Sequence, residues 1–244
     1  MNCWALTDKG KIRKQNQDAF YAIADEEKRV ALLVVCDGMG GAKAGNIASE
    51  MAVEHFTEEI KKKFEDNHTL NSMKRVMQEA AQKANRDVYE CSALNYDYEG
   101  MGTTLVAALV KGEECVVLNI GDSRAYHITR VSIKRITRDH SVIEDMIERG
   151  EVTREESRRH PQKNLITRAI GTSFNIEGDV FSVDLQDGEY ILLCSDGLTN
   201  TVSEQEIMNE VLSGGPLEEA CNSLLSISLM RGAPDNVTIV LFQK

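Results

Sequence analysis

Two strongly apolar runs in this chain each lead directly into the dipeptide Asp-Gly. Residues 30–36 precede Asp37-Gly38, and residues 190–195 precede Asp196-Gly197. Short runs rich in Val, Leu and Ile favour buried strands. A carboxylate at the end of such a strand is held at a rigid sheet edge, and the glycine lets the backbone turn and approach a ligand closely. The two sequences therefore suggest two halves of one metal site.

Asp-Gly is also a common turn dipeptide, and the chain contains a third copy, Asp187-Gly188. This copy follows a polar residue and precedes an apolar run, so we expect a plain turn there. For any single copy the turn remains the simpler interpretation. Two copies that end apolar runs favour a functional role, but the dipeptides alone leave both interpretations open.

Length and charge limit the classes of protein that this chain can represent. Of its 244 residues, 42% are hydrophobic and only three are proline, which predicts a single domain over residues 1–244. The net charge of −11 argues against nucleic acid and anionic membranes as partners. A local exception is the segment 154–168, in which five Arg or Lys residues stand against two Glu.

Nothing in the sequence indicates a membrane span or a secretory signal. No apolar run is long enough to cross a bilayer, and the first residues lack an apolar stretch after a basic start. The six cysteines are widely spaced and form no Cys-x-x-Cys pair. This usage predicts a reducing compartment, most simply the cytoplasm.

The hydrophobic pattern predicts an α+β fold. Short strands joined by turn residues indicate antiparallel sheets, and several longer segments have helical periodicity. Runs of strands followed by runs of helices favour a layered α+β domain over βαβ repeats. The predicted strands are residues 3–7, 18–24, 30–36, 103–110, 115–120, 124–129, 131–136, 180–183, 190–194 and 237–242, and the predicted helices are residues 46–64, 70–91, 141–149, 203–212 and 216–230.

Five aspartates stand at predicted strand–loop junctions and are the candidate metal ligands: Asp18, Asp37, Asp122, Asp196 and Asp235. Clustered carboxylates repel one another unless a cation lies between them. An all-oxygen ligand set selects hard ions such as Mg²⁺ or Mn²⁺. The histidine spacing of a catalytic zinc site and the loop spacing of an EF-hand are both absent from the sequence.

Such a site suits hydrolysis of phosphate esters, because two metal ions can activate a water molecule and hold the phosphoryl oxygens. A phosphate also needs a bidentate cation, and Arg13, just before Asp18, is the candidate. The alternative is a solvated surface arginine among Lys9, Lys11 and Lys14.

Other candidate signals are weaker. The glycine-rich segment 38–45 lacks the Gly-Lys-Ser/Thr ending of a phosphate-binding loop and the third glycine of a dinucleotide fingerprint, so we expect a turn into a helix there. His140 could be structural or could transfer a proton. His160, in the basic segment, could contact substrate.

Eight short motifs occur in order across nearly the whole chain. They are R-x-x-N-Q-D at 13–18, V-C-D-G-M-G-G at 35–41, G-T-T at 102–104, G-D-S-R-A-Y at 121–126, T-R-D-H-S at 137–141, R-A-I-G at 168–171, C-S-D-G-L at 194–198 and D-N-V-T at 235–238. Together they resemble the metal-dependent serine/threonine protein phosphatases of the 2C type, specifically the compact bacterial branch.

The resemblance implies a central β-sandwich of two antiparallel sheets flanked by helices on both sides, in four αββα layers. It implies that Asp37 bridges two Mn²⁺ or Mg²⁺ ions, that the Gly38 carbonyl binds one of them, and that Asp196 and Asp235 complete the other. Asp18 is similar to the family carboxylate that acts through metal-bound water. Asp122, with Asp196, is similar to the pair that holds a third ion in bacterial members, and Arg13 resembles the phosphate-binding arginine.

One position departs from the animal members of the family, which carry histidine after the first Asp-Gly as a proposed general acid. Here that residue is Met39, whose thioether cannot donate a proton, so the identity of the general acid stays open. Bacterial members carry a flap over the site where this chain has residues 141–170. We expect Arg158 and Arg159 in that segment to dock acidic or phosphorylated peptide.

The resulting hypothesis is a monomeric cytoplasmic phosphoprotein phosphatase that opposes a serine/threonine kinase. It would hydrolyse phosphoserine and phosphothreonine by direct attack of a water or hydroxide bridging two Mn²⁺ or Mg²⁺ ions, without a covalent phosphoenzyme. Two alternatives stay open: a phosphatase-like binding module without turnover, and a hydrolase of small phosphate esters. The complete set of five aspartates argues against the first, and relative rates on phosphopeptides and small phosphates would separate the second.

Overall fold

The computed structural model describes residues 1–64, 68–157 and 160–244, and within these ranges the side chains of all residues except 41–43. Two antiparallel sheets form its centre. The strands are β1 (Asn2–Asp8), β2 (Asp18–Asp25), β3 (Val30–Met39), β4 (Gly102–Thr103), β5 (Leu105–Lys111), β6 (Glu114–Ile120), β7 (Arg124–Ile128), β8 (Ile133–Arg135), β9 (Asp179–Asp184), β10 (Tyr190–Cys194) and β11 (Val237–Gln243).

The first sheet has the strand order β1-β11-β10-β7-β8, and the second has the order β2-β3-β5-β6-β9, with β4 paired to the end of β3. Seven α-helices occur in the described ranges: α1 (Gly41–Lys63), α2 (Leu70–Leu94), α3 (Val142–Glu148), α4 (Arg154–Ser157), α5 (Asp196–Thr199), α6 (Glu204–Val211) and α7 (Leu217–Met230).

Three apolar layers hold the sheets and helices together. The inner faces of the two sheets meet through side chains such as Leu33, Val35 and Phe242. Helices α1 and α2 pack on the outer face of the second sheet, where Phe56 is fully buried. Helices α6 and α7 cover the outer face of the first sheet through a separate apolar cluster. The arrangement confirms the predicted α+β fold with a central sandwich flanked by helices on both sides.

Local sequence explains where the helices begin. The hydroxyl of Thr69 accepts a hydrogen bond from the Ser72 N–H at the start of α2. At α6, Ser203 and Glu206 form a capping box, in which each side chain accepts a hydrogen bond from the other residue's backbone N–H. Both starts match the sequence-based prediction to within one residue.

The structure corrects the expected elements in several places. Helix α1 begins at Gly41, five residues before the predicted start, so the glycine-rich segment contributes to the helix itself. Strand β3 does not end on Asp37 but continues to Met39, because β4 pairs with Gly38 and Met39. Helices α4 and α5 were not expected, and α5 begins on Asp196.

Within the segment 141–170, the first residues lie beside residues 165 and 166. Ser141 pairs with Ile166, and the Val142 N–H donates to the Leu165 carbonyl at 2.9 Å. Helices α3 and α4 lie within this segment. No helix in the described part of the chain is both long and apolar enough to cross a lipid bilayer.

Candidate metal centre

The first two candidate ligands face each other across neighbouring strands. Asp18, the first residue of β2, is the cross-strand partner of Asp37 in β3. The backbone of Asp37 is fixed by Thr104, whose hydroxyl accepts from the Asp37 N–H and whose own N–H donates to the Asp37 carbonyl, each at 2.9 Å. Strand pairing therefore brings two carboxylates together at one end of the second sheet.

The glycines of the two Asp-Gly sequences are required by close backbone approach. A Cβ on Gly38 would collide with the carbonyl oxygen of Gly45, and a Cβ on Gly197 would collide with that of Asn236. Neither glycine has a positive φ, so the sharp turn expected at these positions is not the reason for glycine. Gly188 of the third copy has φ +82° and lies in a turn between β9 and β10, which confirms the plain-turn prediction.

Asp196 and Asp235 reach the same region from the first sheet. Asp196 follows β10, and its Oδ2 accepts a hydrogen bond from Asn200 Nδ2 at 3.0 Å. Asp235 lies two residues before β11, and its Oδ2 accepts from Arg13 Nη2 at 2.6 Å. Adjacent strands of one sheet thus present one carboxylate each.

Asp18 links the two sheets. Its Oδ2 accepts hydrogen bonds from the Ser195 hydroxyl at 2.7 Å and from the Thr238 hydroxyl at 2.6 Å. Ser195 follows β10 and Thr238 lies in β11, and both strands belong to the first sheet. Its Oδ1 is buried and has no hydrogen-bond partner among the described residues, and the same holds for Oδ1 of Asp196. A buried carboxylate oxygen without a hydrogen-bond partner destabilises the fold unless a positively charged group, such as a metal ion, contacts it.

A cavity of about 550 Å³ opens over this cluster. It is lined by Arg13, Lys14, Gln15, Gln17, Asp37, Gly38, Met39, Gly40, Thr104, Asp122, Asn164, Ile166, Asp196, Asp235 and Asn236. Asp18 lies outside this lining, beside Asp37. A larger surface groove, of about 880 Å³, runs along α1 and α2 and contains none of the candidate ligands.

Crowding of the carboxylates changes their acidity. Burial, together with the charges of Asp196 and Asp235, raises the pKa of Asp18 to about 6, although the two hydroxyl hydrogen bonds oppose the shift. Burial and the charge of Asp196 raise the pKa of Asp122 to about 7. The pKa of Asp37 is raised well above its ordinary value, first by burial and then by the other four aspartates. The negative charges are thus close enough to oppose one another's ionisation.

The donor set fits a divalent cation. All the charged donors are carboxylate oxygens, which hard ions prefer, and two of these oxygens are buried without a partner. As the side chains stand, no three His, Cys, Asp or Glu side chains within residues 1–64, 68–157 and 160–244 form a ready metal-binding group. Asp235 contacts Arg13, and Asp18 contacts two hydroxyls, so a cation would compete with Arg13 for Asp235.

Two polar residues support the site: Asn236, whose contacts sequence reasoning did not consider, and His140, which it left as either structural or proton-transferring. Asn236 is buried, and its side chain makes three hydrogen bonds to the loop that carries Arg13. His140 is also buried; its Nδ1 accepts from the Gly121 N–H at 3.2 Å, and its Nε2 lies 3.2 Å from Asp179 Oδ2. Both residues stand inside motifs of the sequence, but a motif does not show which atoms they contact.

The remaining histidine and arginine predictions have different outcomes. His140 is not among the residues lining the cavity, and both ring nitrogens have partners, which favours the structural role over proton transfer. The ring of His160 accepts a hydrogen bond from the Gln162 N–H within its own turn. Arg158 and Arg159 lie outside the described residues.

Comparison of the sequence and the fold with known proteins identifies the family of this chain. The family model described as protein phosphatase 2C matches residues 11–222. The chain is 35% identical over 238 residues to the "Serine/threonine phosphatase stp" of Listeria innocua, covering 98% of this chain and 94% of that protein.

The chain belongs to the protein phosphatase 2C family.

Solved structures of family members have the same fold. The crystal structure of the serine/threonine phosphatase Stp1 from Staphylococcus aureus matches 99% of this chain and 94% of its own, with a TM-score of 0.91 and 35% identity. The catalytic domain of the phosphatase PstP, in complex with two manganese ions, matches 98% and 96% with a TM-score of 0.85 and 31% identity. Members of the family are metal-dependent serine/threonine phosphatases, and this chain is an enzyme of that class, of the bacterial type.

Proposed function

We propose that this phosphatase hydrolyses phosphoserine and phosphothreonine in proteins at the cavity over Asp37. The observation that carries the proposal is the convergence of Asp18, Asp37, Asp122, Asp196 and Asp235, from both sheets, with two buried carboxylate oxygens that lack a partner among the described residues. A cluster of mutually repelling carboxylates at a cavity is the arrangement that a divalent ion stabilises.

In this proposal Asp37, the Gly38 carbonyl, Asp196 and Asp235 hold two Mn²⁺ or Mg²⁺ ions. Asp122 with Asp196 holds a third. When bound, the ions supply an activated water nucleophile and positive charge against the phosphoryl oxygens, so no phosphoenzyme is needed. Asp18, fixed by Ser195 and Thr238, orients the water that contacts it.

Arg13 supplies the phosphate contact. Its guanidinium lies on the cavity, is about half exposed, and is held by Asp235 at 2.6 Å. An arginine in this position can turn its free N–H groups toward phosphate oxygens in a bidentate contact. Met39 also lines the cavity, and since its thioether donates no proton it contributes apolar surface there.

We further propose that residues 1–244 act as one catalytic domain, with residues 141–170 as a flap beside the cavity. Asn164 and Ile166 of that segment reach the cavity lining. The six free cysteines support a reducing, cytoplasmic setting. In that setting the proposed enzyme acts as a monomer and opposes a serine/threonine kinase.

The test is hydrolysis of a phosphothreonine peptide and of an aryl phosphate with and without Mn²⁺, for the wild type and for Asp196→Asn. We expect metal-dependent turnover that falls at least about 10²-fold in the variant, because loss of a ligand impairs both water activation and phosphate binding. Asp187→Asn, in the third Asp-Gly, is the matched control and should retain full activity. Unchanged turnover in chelator would refute the mechanism.

A further inference from the structure

The loop between β1 and β2, residues 9–17, has a charge that the hydrolytic site does not require. It contains Lys9, Lys11, Arg13 and Lys14 and no acidic residue, in a chain whose net charge is −11. All four cationic residues are exposed. Arg13 has a place in the proposed phosphate contact, but the three lysines do not.

The backbone of this loop is held firmly against the end of the first sheet. Asn236 Nδ2 donates to the carbonyls of Lys9 at 2.9 Å and Gln15 at 3.0 Å, and Asn236 Oδ1 accepts from the Gln17 N–H at 2.9 Å. One buried side chain therefore holds both ends of the loop. A positioned loop loses little conformational entropy when a ligand binds to it.

A second set of contacts fixes the loop next to the candidate ligand Asp235. The Lys11 N–H donates to the Ala233 carbonyl at 3.0 Å. Gly10 has φ +74°, and a Cβ there would collide with the Asp235 carbonyl oxygen, so only glycine lets the two backbones approach this closely.

The three lysines have no acidic partner within residues 1–64, 68–157 and 160–244, whereas Arg13 is bound to Asp235. Elsewhere on the surface, lysines such as Lys63 and Lys83 form ion pairs with neighbouring acids. Lys14 lines the cavity, and Lys11 and Lys9 continue along the same loop away from it. Positive charge thus extends from Arg13 and Lys14 at the cavity outward along the loop.

We propose that the loop Lys9–Gln17 is a docking rim for acidic residues that flank the phosphorylated residue of a protein substrate. This inference rests on the proposed function and narrows its substrate class to acidic phosphopeptides. Lysines at the rim of a site attract carboxylates over several ångströms and act mainly on substrate capture. The rim would therefore lower KM for acidic phosphopeptides and leave the chemical step alone.

The experiment compares two phosphothreonine peptides, one with Asp and one with Gln on both sides of the phosphorylated residue. We expect the wild type to have a higher kcat/KM for the Asp peptide. In Lys11→Glu/Lys14→Glu the ratio of the two kcat/KM values should fall roughly tenfold, through KM, because two attractions become repulsions. Lys11→Arg/Lys14→Arg should keep the wild-type ratio, since the charge is conserved.

Lys28→Glu/Lys134→Glu is the matched control, with the same charge change at two exposed lysines outside the loop and the cavity lining. Its ratio should equal that of the wild type. If Lys11→Glu/Lys14→Glu still prefers the Asp peptide, the proposed docking role of the loop is wrong. It is also wrong if the wild type does not prefer the Asp peptide. If the wild type hydrolyses neither peptide in Mn²⁺, the proposed function itself is wrong, a result distinct from loss of preference.

Discussion

At the scale of single residues, glycines and one asparagine decide how closely the backbones of the site approach one another. Gly197 lies against the carbonyl of Asn236, and Gly38 lies against that of Gly45. These contacts place Asp196 beside Asp235 and Asp37 beside the start of α1. In these two Asp-Gly sequences the glycine is therefore a backbone contact point beside a candidate metal ligand.

Gly197→Ala should lower the free energy of unfolding by about 3 kcal/mol or more, because the new methyl group collides with backbone that cannot rotate away. Gly214→Ala is the comparison, since its Cβ meets open space and only its φ of +88° opposes the change, at roughly 1 kcal/mol. Urea denaturation measures both. Equal losses would show that the Asn236 backbone moves aside freely.

At the scale of elements, a chain of alternating charges joins the first sheet to the proposed flap. Arg124 of β7 donates to Asp139 at 2.7 Å, and Arg135 of β8 contacts both Asp139 and Glu144. Arg154 of α4 then donates twice to Glu144, at 2.7 and 3.1 Å. The buried Glu144 thus joins α3 and α4 to Arg135 of the first sheet.

Glu144→Gln should lower the free energy of unfolding by about 2 kcal/mol at neutral pH. Loss of this carboxylate removes the ion pair between Arg135 and α3. The loss of stability is smaller than for a fully buried ion pair because the other partner, Arg154, is largely exposed. Glu148→Gln, in the same helix and more than half exposed, should cost less than about 1 kcal/mol. Urea titrations measure both variants.

The loss should depend on pH. Burial opposes ionisation of Glu144, but Arg154 and Arg135 outweigh it and lower its pKa below the ordinary 4.5. A lowered carboxyl pKa stabilises the folded state above the unfolded pKa, and this contribution disappears as pH falls through the folded value. The difference in free energy of unfolding between wild type and Glu144→Gln should therefore be constant from about pH 6 to 8 and should shrink below about pH 4.5. A difference that persists in acid would contradict the ion-pair explanation.

At the scale of the whole molecule, the site joins the two sheets. Asp18 and Asp37 belong to the second sheet, whereas Asp196 and Asp235 flank strands of the first. Hydrogen bonds from Ser195 and Thr238 to Asp18 already cross between the sheets. A cation held by carboxylates of both sheets would bind only the assembled sandwich.

Mn²⁺ at about 100 times its dissociation constant should therefore stabilise the fold by about 2.7 kcal/mol. For a chain of this size that raises Tm by roughly 5–10 °C. Asp196→Asn should show a much smaller rise at the same concentration, and Asp187→Asn the full rise; differential scanning fluorimetry reports both. An equal rise in Asp196→Asn would place the ion elsewhere on the protein.

Much of this architecture could be predicted from local sequence. The buried face of α2, with Met73, Val76 and Met77, follows from helical periodicity, and the strand positions follow from short apolar runs. The candidate carboxylates could be found because each stands beside such a run. Local patterns report these features since they depend on neighbouring residues in the chain.

What only the tertiary structure decided is which distant groups meet. Strand β3 continues past Asp37 because β4, more than sixty residues later, pairs with it, and Asn236 holds a loop near the other end of the chain. The contact between Arg13 and Asp235 likewise joins residues far apart in sequence. The chain's own sequence determined its strands, helices and candidate carboxylates, because backbone propensity and burial are local. Only the tertiary structure determined the hydrogen bonds and ion pairs between distant segments, because these contacts form only when the two sheets are assembled.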